Sequence, residues 1–342
     1  MTIDTRVFAS ALMATAMSAA IAVSTATSAG AATKIKVGRT ASATIFELPT
    51  YVAMEKGFFK REGLDAVLVT LTGKALITAG IAGAIDFSPA SRGGAQAALK
   101  GAKLHFVVGQ SSQARWTISV SPFVVRGIDL KGKTVAFGRP NTPGFEEGKM
   151  ALRRVLNFQV GRDYKLISIP RPADRISALE KGDVHGAVLS IGQAAKAGVS
   201  GFPNFLPSGQ GASELNGAYW VRDSYLAKNR SQVAGFIRAI TTAINYISLN
   251  PEGTADIIQK YLGIKKRAEA NHYWWAIQNM YSPAIHKDLL AKLFDERRSR
   301  MVRKGLWPKN KPAPDVERFV ARKLLTETLQ EMRFYLSSAA KP

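Results

Sequence analysis

The sequence predicts an α/β protein built as two lobes, and three observations lead there. Short runs of strand type alternate with helical stretches of about 10 to 15 residues, the pattern of a largely parallel sheet covered on both faces. One plan then occurs twice: LITAGIAGAIDFS (76–88) and RISALEKGDVHGAVLS (175–190) each run as helix, glycine-centred turn, short buried strand and terminal serine. Each copy follows a strand–loop–helix start, at 34 and at 133, and from about residue 223 the chain turns mainly helical.

In the first set, KIKVGR (34–39) puts Ile35 and Val37 on one face of a strand. A polar loop leads to a helix from about Leu48, where Pro49 is tolerated in the first turn. In EKGFFKREGLDAVLV (55–69) the helix stops at Gly57, and Gly63 turns the chain into the strand LDAVLV (64–69). Phe58 and Phe59 are expected to cap the first lobe's core, so the stretch is scaffold. A helix over 73–82, a strand at AIDF (84–87) and a helix opening in SRGGAQAALK follow, then strands KLHFVVG (103–109) and WTISV (116–120).

The second set begins after VRGIDLKGK. KTVAFG (133–138) is a strand, RPNTPG a loop, and FEEGKMALRRVLNF a helix with Met150, Leu152, Val155 and Leu156 on its apolar side. The strand YKLISI (164–169), a helix over 172–181 and the strand GAVLS (186–190) complete it, and helices over 231–249, 251–262, 267–279, 286–304 and 315–336 close the chain. Crossings near 119–126 and 214–222 divide the mature chain into a first lobe of 32–120 with 221–342 and a second of 121–220.

Residues 1–31 read as an export signal. They hold one basic side chain, Arg6, and one acid, Asp4, and the run from Val7 to Val23 is uncharged but too poor in large apolar residues to span a bilayer. Ala29-Gly30-Ala31 places cleavage after Ala31; a buried alanine-rich helix is the alternative. Past residue 34 no uncharged run is long enough to cross a membrane. The chain has no cysteine, which removes disulfides, thiolate metal sites, a cysteine nucleophile and a lipidated N-terminal Cys. Lys and Arg outnumber acids 47 to 25, a net charge of +22, yet the basic residues are spread along the chain. The densest patches, KKR (265–267) and RRSRMVRK (297–304), come without zinc-finger spacing or an RNA-binding aromatic signature, so nucleic acid is not an expected partner. The charge acts as a diffuse field favouring anions.

In open α/β sheets ligands sit beyond the C-terminal strand ends, where loops lead into helix N-termini. The loops so placed are TASAT (40–44), SPASRGG (88–94), PNTPG (140–144) and SIGQ (190–193), rich in hydroxyls, amides and glycine. None holds a Ser–His pair or paired carboxylates, Glu47 and Glu146 lie further along, and the histidines at 105, 185, 272 and 286 are too scattered for a metal site. Such a cleft holds a ligand without transforming it. The candidate contacts are Thr40, Ser42 and Thr44, then Ser88, Ser91 and Arg92, and across the cleft Asn141, Thr142 and Ser190. Arg92 suits a carboxylate or sulfonate. Phe46, Trp116 and Phe145 are candidates to flank an aromatic or aliphatic portion. Core packing competes for each aromatic, and helix capping for each Ser, Thr and Asn.

LPTYVAMEKGFFKREGLDAVLV, AGAIDFS, DLKGKTVAFG and ALEKGDVHGAV, in that order, resemble the nitrate/sulfonate/taurine family of periplasmic substrate-binding proteins over roughly residues 34–260. The resemblance implies the type II periplasmic-binding fold, with two α/β lobes joined by a hinge and a ligand cleft between them. It implies a monomer, without cofactor, that captures a small organic anion and delivers it to the permease and ATPase of an ABC importer. His185 departs from the family, where Asp is frequent, and reads as a structural turn residue. Members bind nitrate, alkanesulfonates, taurine, aromatic acids or thiamine-precursor pyrimidines, so the ligand stays open. Enzymes of the pyrimidine-precursor and menaquinone-pathway types share the fold and form the alternative. The pyrimidine synthases need a cysteine-rich motif that is lacking here, and an export signal argues against both. A periplasmic sensor would use the same cleft.

Overall fold

The computed structural model describes residues 32–40, 45–111, 116–206, 215 and 217–332. The predicted export signal, Ser42 and Thr44 lie outside these residues. Nine strands are described: β1 (Thr33–Thr40), β2 (Leu64–Leu71), β3 (Leu104–Ser111), β4 (Trp116–Val120), β5 (Thr134–Phe137), β6 (Lys165–Ser168), β7 (Gly186–Ser190), β8 (Asn204–Leu206) and β9 (Gly217–Arg222). Around them run α1 (Leu48–Glu55), α2 (Phe58–Arg61), α3 (Gly73–Ala82), α4 (Ser91–Leu99), α5 (Pro143–Leu156), α6 (Pro172–Lys181) and α7 (Ile191–Val199). The helical remainder is α8 (Asp223–Lys228), α9 (Arg230–Leu249), α10 (Pro251–Leu262), α11 (Arg267–Ile277), α12 (Lys287–Arg303) and α13 (Arg322–Glu331).

β1 pairs in parallel with β2, and β3 pairs antiparallel with β9. Phe87 and Ser88 join these ribbons, Phe87 bridging Val37 and Ser88 bridging Trp220. The expected strand at 84–87 is therefore only a bridge. The reason is local: the Asp86 carboxylate takes the Lys36 N–H at 2.8 Å, a donor a regular ladder would give to a carbonyl. The other sheet has the order β6-β5-β7-β4-β8. The lobe boundaries at 120 and 221 place β4 with the first lobe and most of β9 with the second. Pairing does the opposite, since β4 joins β7 and β8 while β9 returns to β3.

Two further expectations are corrected. In α5, Leu152 is fully buried, but Met150 and Val155 are each 37% exposed. The face against the sheet runs through Gly148, where a Cβ would stand 2.6 Å from Val188 and 2.9 Å from Phe137. The helix rolls so that its smallest residue meets the sheet. Gly148→Ala is accordingly expected to lower the denaturant midpoint: overpacking costs about 1–3 kcal/mol, against which alanine's helix propensity returns about 1. An unchanged midpoint would show that α5 does not press on the sheet this closely. The helix expected over 315–336 is instead a 3₁₀ turn, Val316–Phe319, followed by α13. Val320 bridges Phe106 and Ala321 N–H donates to the Phe106 carbonyl at 2.9 Å, so the sheet edge interrupts the helix.

The stretch at 55–69 is scaffold, as expected. Gly57 and Gly63 both hold φ of +68°, a left-handed conformation that costs glycine little. Between them Phe59 stacks on Phe236 at 5.4 Å and Phe58 meets Tyr246 edge-on at 6.0 Å. Glu62 accepts a 2.7 Å bond from Arg238 Nε, tying the same turn to α9. His185 also holds structure, its N–H donating to the Thr134 carbonyl and its carbonyl accepting from Ser121. No helix among the described residues is long and apolar enough to cross a membrane.

Candidate functional site

β1, Phe87-Ser88 and β3 run parallel, so Thr40, Ser88, Gln110 and Ser111 share one edge of the first sheet with the start of β9. Ser88 and Ser111 are fully buried and Gln110 nearly so. The Ser88 Oγ, Ser111 Oγ and Gln110 Nε2 atoms have no protein partner. Such atoms cost about 1–3 kcal/mol each unless water or a ligand bonds them.

Beside this polar edge, Glu47 is buried and accepts from Thr40 N–H at 2.8 Å, Thr40 Oγ1 at 3.0 Å and Tyr51 Oη at 2.8 Å. Burial and the adjacent Glu47 carboxylate raise the Tyr51 phenol well above its ordinary value, keeping it a neutral donor. Tyr219, fully buried, shares a 2.5 Å hydrogen bond with Thr50. Thr40 thus supports Glu47, and the carboxylate that lies seven residues away in sequence folds back to the tip of β1.

A cavity of about 320 Å³ opens next to the 3₁₀ turn Ile45–Glu47. It is lined by one group, Ile45, Phe46, Leu262, Ile264 and Tyr273, and by a second, Trp116, Ser190, Ile191 and Gly192. The first group comes from the turn after β1 and from α10–α11, the second from the ends of β4 and β7. Trp116 stands directly opposite Ser190 in the ladder. A Cβ on Gly144 would lie 2.7 Å from the Trp116 ring, so that indole abuts the first turn of α5. A Cβ on Gly192 would lie 2.1 Å from Tyr273 Oη and one on Gly198 2.5 Å from the His272 ring. Glycine on α7 thereby lets α11 come close and close the cavity's side.

Of the candidates, the structure brings Phe46, Trp116 and Ser190 together at this cavity. Ser190 caps α7, its N–H donating to Gln193 Oε1 at 3.0 Å while its side chain accepts from the third helical residue. Thr142 Oγ1 donates to the Arg139 carbonyl at 2.7 Å, leaving α5 without a side-chain cap. Asn141 is exposed, at φ +61°. Ser91 is buried and Arg92 half-buried in the first turn of α4, which also lacks a side-chain cap. Phe145 meets Phe137 edge-on at 5.4 Å and belongs to the second sheet's core.

Residues that sequence reasoning passed over include Gln110 and Ser111. Their signal was available: polar residues ending the apolar strand LHFVVGQS repeat the logic of the other strand ends. Leu262, Ile264 and Tyr273 carry no such signal, because an apolar residue on a C-terminal helix reads as core. Among the described residues, no group of three or more His, Asp and Glu could hold a metal.

The family model described as NMT1/THI5 like matches residues 47–254, more than half of the chain. The chain belongs to the NMT1/THI5-like family. Among solved structures it is similar to the periplasmic aliphatic sulphonate binding protein SsuA of Escherichia coli, with 18% identity over 86% of this chain and 99% of that one and a TM-score of 0.54. The periplasmic nitrate-binding protein NrtA of Synechocystis PCC 6803 is similar at 14% identity over 90% and 92%, TM-score 0.53. A protein of Bordetella bronchiseptica RB50 is similar at 17% identity over 88% and 98%, TM-score 0.54. Among curated proteins, none matches. At these identities the likeness establishes the fold: the type II periplasmic-binding fold, two α/β lobes with a hinge and cleft. Ile45, Phe46, Leu262, Ile264 and Tyr273 lie outside the stretch matched to the NMT1/THI5-like family.

Proposed function

We propose that this protein captures a small organic anion with an apolar body and delivers it to the permease and ATPase of an ABC importer. It works in the periplasm, as a monomer, after loss of residues 1–31. The first lobe is read as 32–111 with 217–332 and the second as 116–206, a division supported by the pairing of β9 with β3 and of β4 with β7 and β8. The observation that supports this most is an apolar cavity, walled by Phe46, Trp116 and Tyr273, that opens beside the turn after β1 and the end of β7.

Apolar walls reward hydrocarbon by roughly 25 cal/mol for each Å² removed from water, which nitrate has no surface to use. A sulfonate or carboxylate on a short aliphatic or aromatic body fits better. Its charge is met by the half-buried Arg39 and Arg92 and by the uncapped starts of α4 and α5. Ser88, Ser91, Asn141 and Thr142 stand at those starts, with Phe46 and Trp116 against the body. A ligand touching both lobes favours the closed form by the difference of its contacts in the two states.

A thermal-shift screen tests this. Alkanesulfonates or aromatic and aliphatic carboxylates are expected to raise the melting temperature, a ligand at 100 times its Kd adding about 2.7 kcal/mol. The bound molecule is expected back unchanged. A tight cationic ligand, nitrate as the tightest ligand, or chemical conversion would each refute the proposal. Genes for a permease and ATPase beside this one would support import, and a histidine kinase gene in their place would favour sensing.

A further inference from the structure

We infer that the edge of the second lobe opposite the cleft is a docking surface for an anionic lipid bilayer. The loop after β4 reads SPFVVRGIDLKGK over 121–133. Within it Phe123 is 89% exposed, Val125 78% and Ile128 53%, while Val124 between them is 5% exposed and sits in the second sheet's core. Alternation turns two large apolar side chains outward around one buried anchor.

The loop is held in that form. Ser121 N–H donates to the His185 carbonyl and Val124 N–H to the Ser121 carbonyl. The Asp129 carboxylate accepts from Val125 N–H at 3.1 Å, Arg126 N–H at 2.7 Å and the Arg126 guanidinium at 3.3 Å. A Cβ on Gly127 would lie 2.2 Å from Leu156, so the loop rests on the last turn of α5. The apolar side chains are therefore presented on a fixed turn.

Cations surround them. Arg126, Lys131 and Lys133 are exposed in the same loop. Arg153 and Arg154 are exposed in the last turn of α5, and Lys165 is exposed at the start of β6. Lys165 N–H donates to the Lys133 carbonyl, and Gly132 N–H to that of Asp163, which brings these segments together. The acids at this edge are Asp129, Asp163, Glu180 and Asp183; the first is held by Arg126 and the second by Arg162. An apolar wedge ringed by Lys and Arg matches the surface of an anionic bilayer, where hydrocarbon enters between headgroups and the cations meet phosphate. The strands place this edge away from the cavity, because Val120 and Gly186 end the ladder that Trp116 and Ser190 begin. Both surfaces can act at once, and this one does not depend on which ligand the cleft takes.

The test is co-sedimentation of residues 32–342, a compact unit by themselves, with vesicles. Vesicles of phosphatidylcholine containing phosphatidylglycerol are compared with phosphatidylcholine alone. Partition to the anionic vesicles is expected, weakening with salt. The pair Phe123→Ser with Val125→Ser is expected to lower it about tenfold, as is the pair Arg126→Glu with Lys131→Glu. Melting temperatures near the parent's keep the comparison valid; if a pair melts early, Ile128→Ser replaces the serine pair and Lys131→Glu with Lys133→Glu replaces the charge pair. Three results would overturn the inference: no partition of the parent, equal partition to both vesicle types, or parent-like partition of the serine pair. The last would mean that the diffuse net charge of +22 suffices.

Discussion

Trp116→Ala is expected to weaken ligand binding by about 2 kcal/mol or more, roughly thirtyfold, because large aromatics in closed pockets dominate such affinities. The indole has two jobs. It lines the cavity with Phe46 and Tyr273, and it lies against Gly144 in the first turn of α5. Alanine removes the wall and leaves that turn without its stop. Trp116→Phe, which retains a ring, is expected to recover most of the affinity. Phe145→Ala is the control, since Phe145 packs on Phe137 inside the second lobe. That variant is expected to lose stability, with a large-to-small core cost of about 3–5 kcal/mol at most, but little affinity in the folded fraction. Calorimetric titration with the ligand found by screening decides. A Trp116→Ala affinity within about twofold of the parent would remove Trp116 from the pocket's energetics.

The order of strands and helices was legible because period and punctuation carry it: Ile35 and Val37 alternate, Gly57 and Gly63 stop and turn the chain, Pro172 opens a helix. Membership of a sheet was not legible. WTISV and GAYWVR are both short apolar strands, and nothing local tells which sheet each pairs with; that is decided by register with Ser190 and with Phe106, distant in sequence. The α5 face was misjudged because Met150 and Val155 are apolar, whereas contact with the sheet is set by the small Gly148. At the site, the residue types at strand ends were legible but their employment was not. Ser190 and Thr142 have hydroxyls that serve their own loops, and Glu47 returns to Thr40 through a turn that the sequence does not announce. Leu262, Ile264 and Tyr273 reach the cavity from α10, the link after it and α11, and only the three-dimensional fold gathers them with Trp116.

Trp220→Ala is expected to cost about 3–5 kcal/mol, the upper range for removing a buried aromatic. Trp220 is fully buried in β9, the strand that returns the chain to the first sheet. Its backbone exchanges both bonds with Ser88 at 3.0 Å, and its Nε1–H donates to the Ala90 carbonyl at 3.2 Å. Glycine lines the ring: a Cβ on Gly80 would come within 2.4 Å of it and one on Gly94 within 2.5 Å. α3 and α4 therefore rest on the indole with bare backbone. When the ring goes, those helices have no side chains at these positions to fill the space, so little of the cavity collapses. The same packing gives a sharper test than the single substitution. Gly80→Ala in the parent forces a methyl into the ring and is expected to cost about 1–3 kcal/mol. In the Trp220→Ala background the methyl enters a void, so its cost is expected to vanish or reverse, a coupling of about 1–3 kcal/mol between the sites. Urea unfolding of the four proteins measures this through their midpoints at a common slope. If the two changes simply add, the indole does not hold α3 against β9, and the packing assigned to Trp220 is wrong.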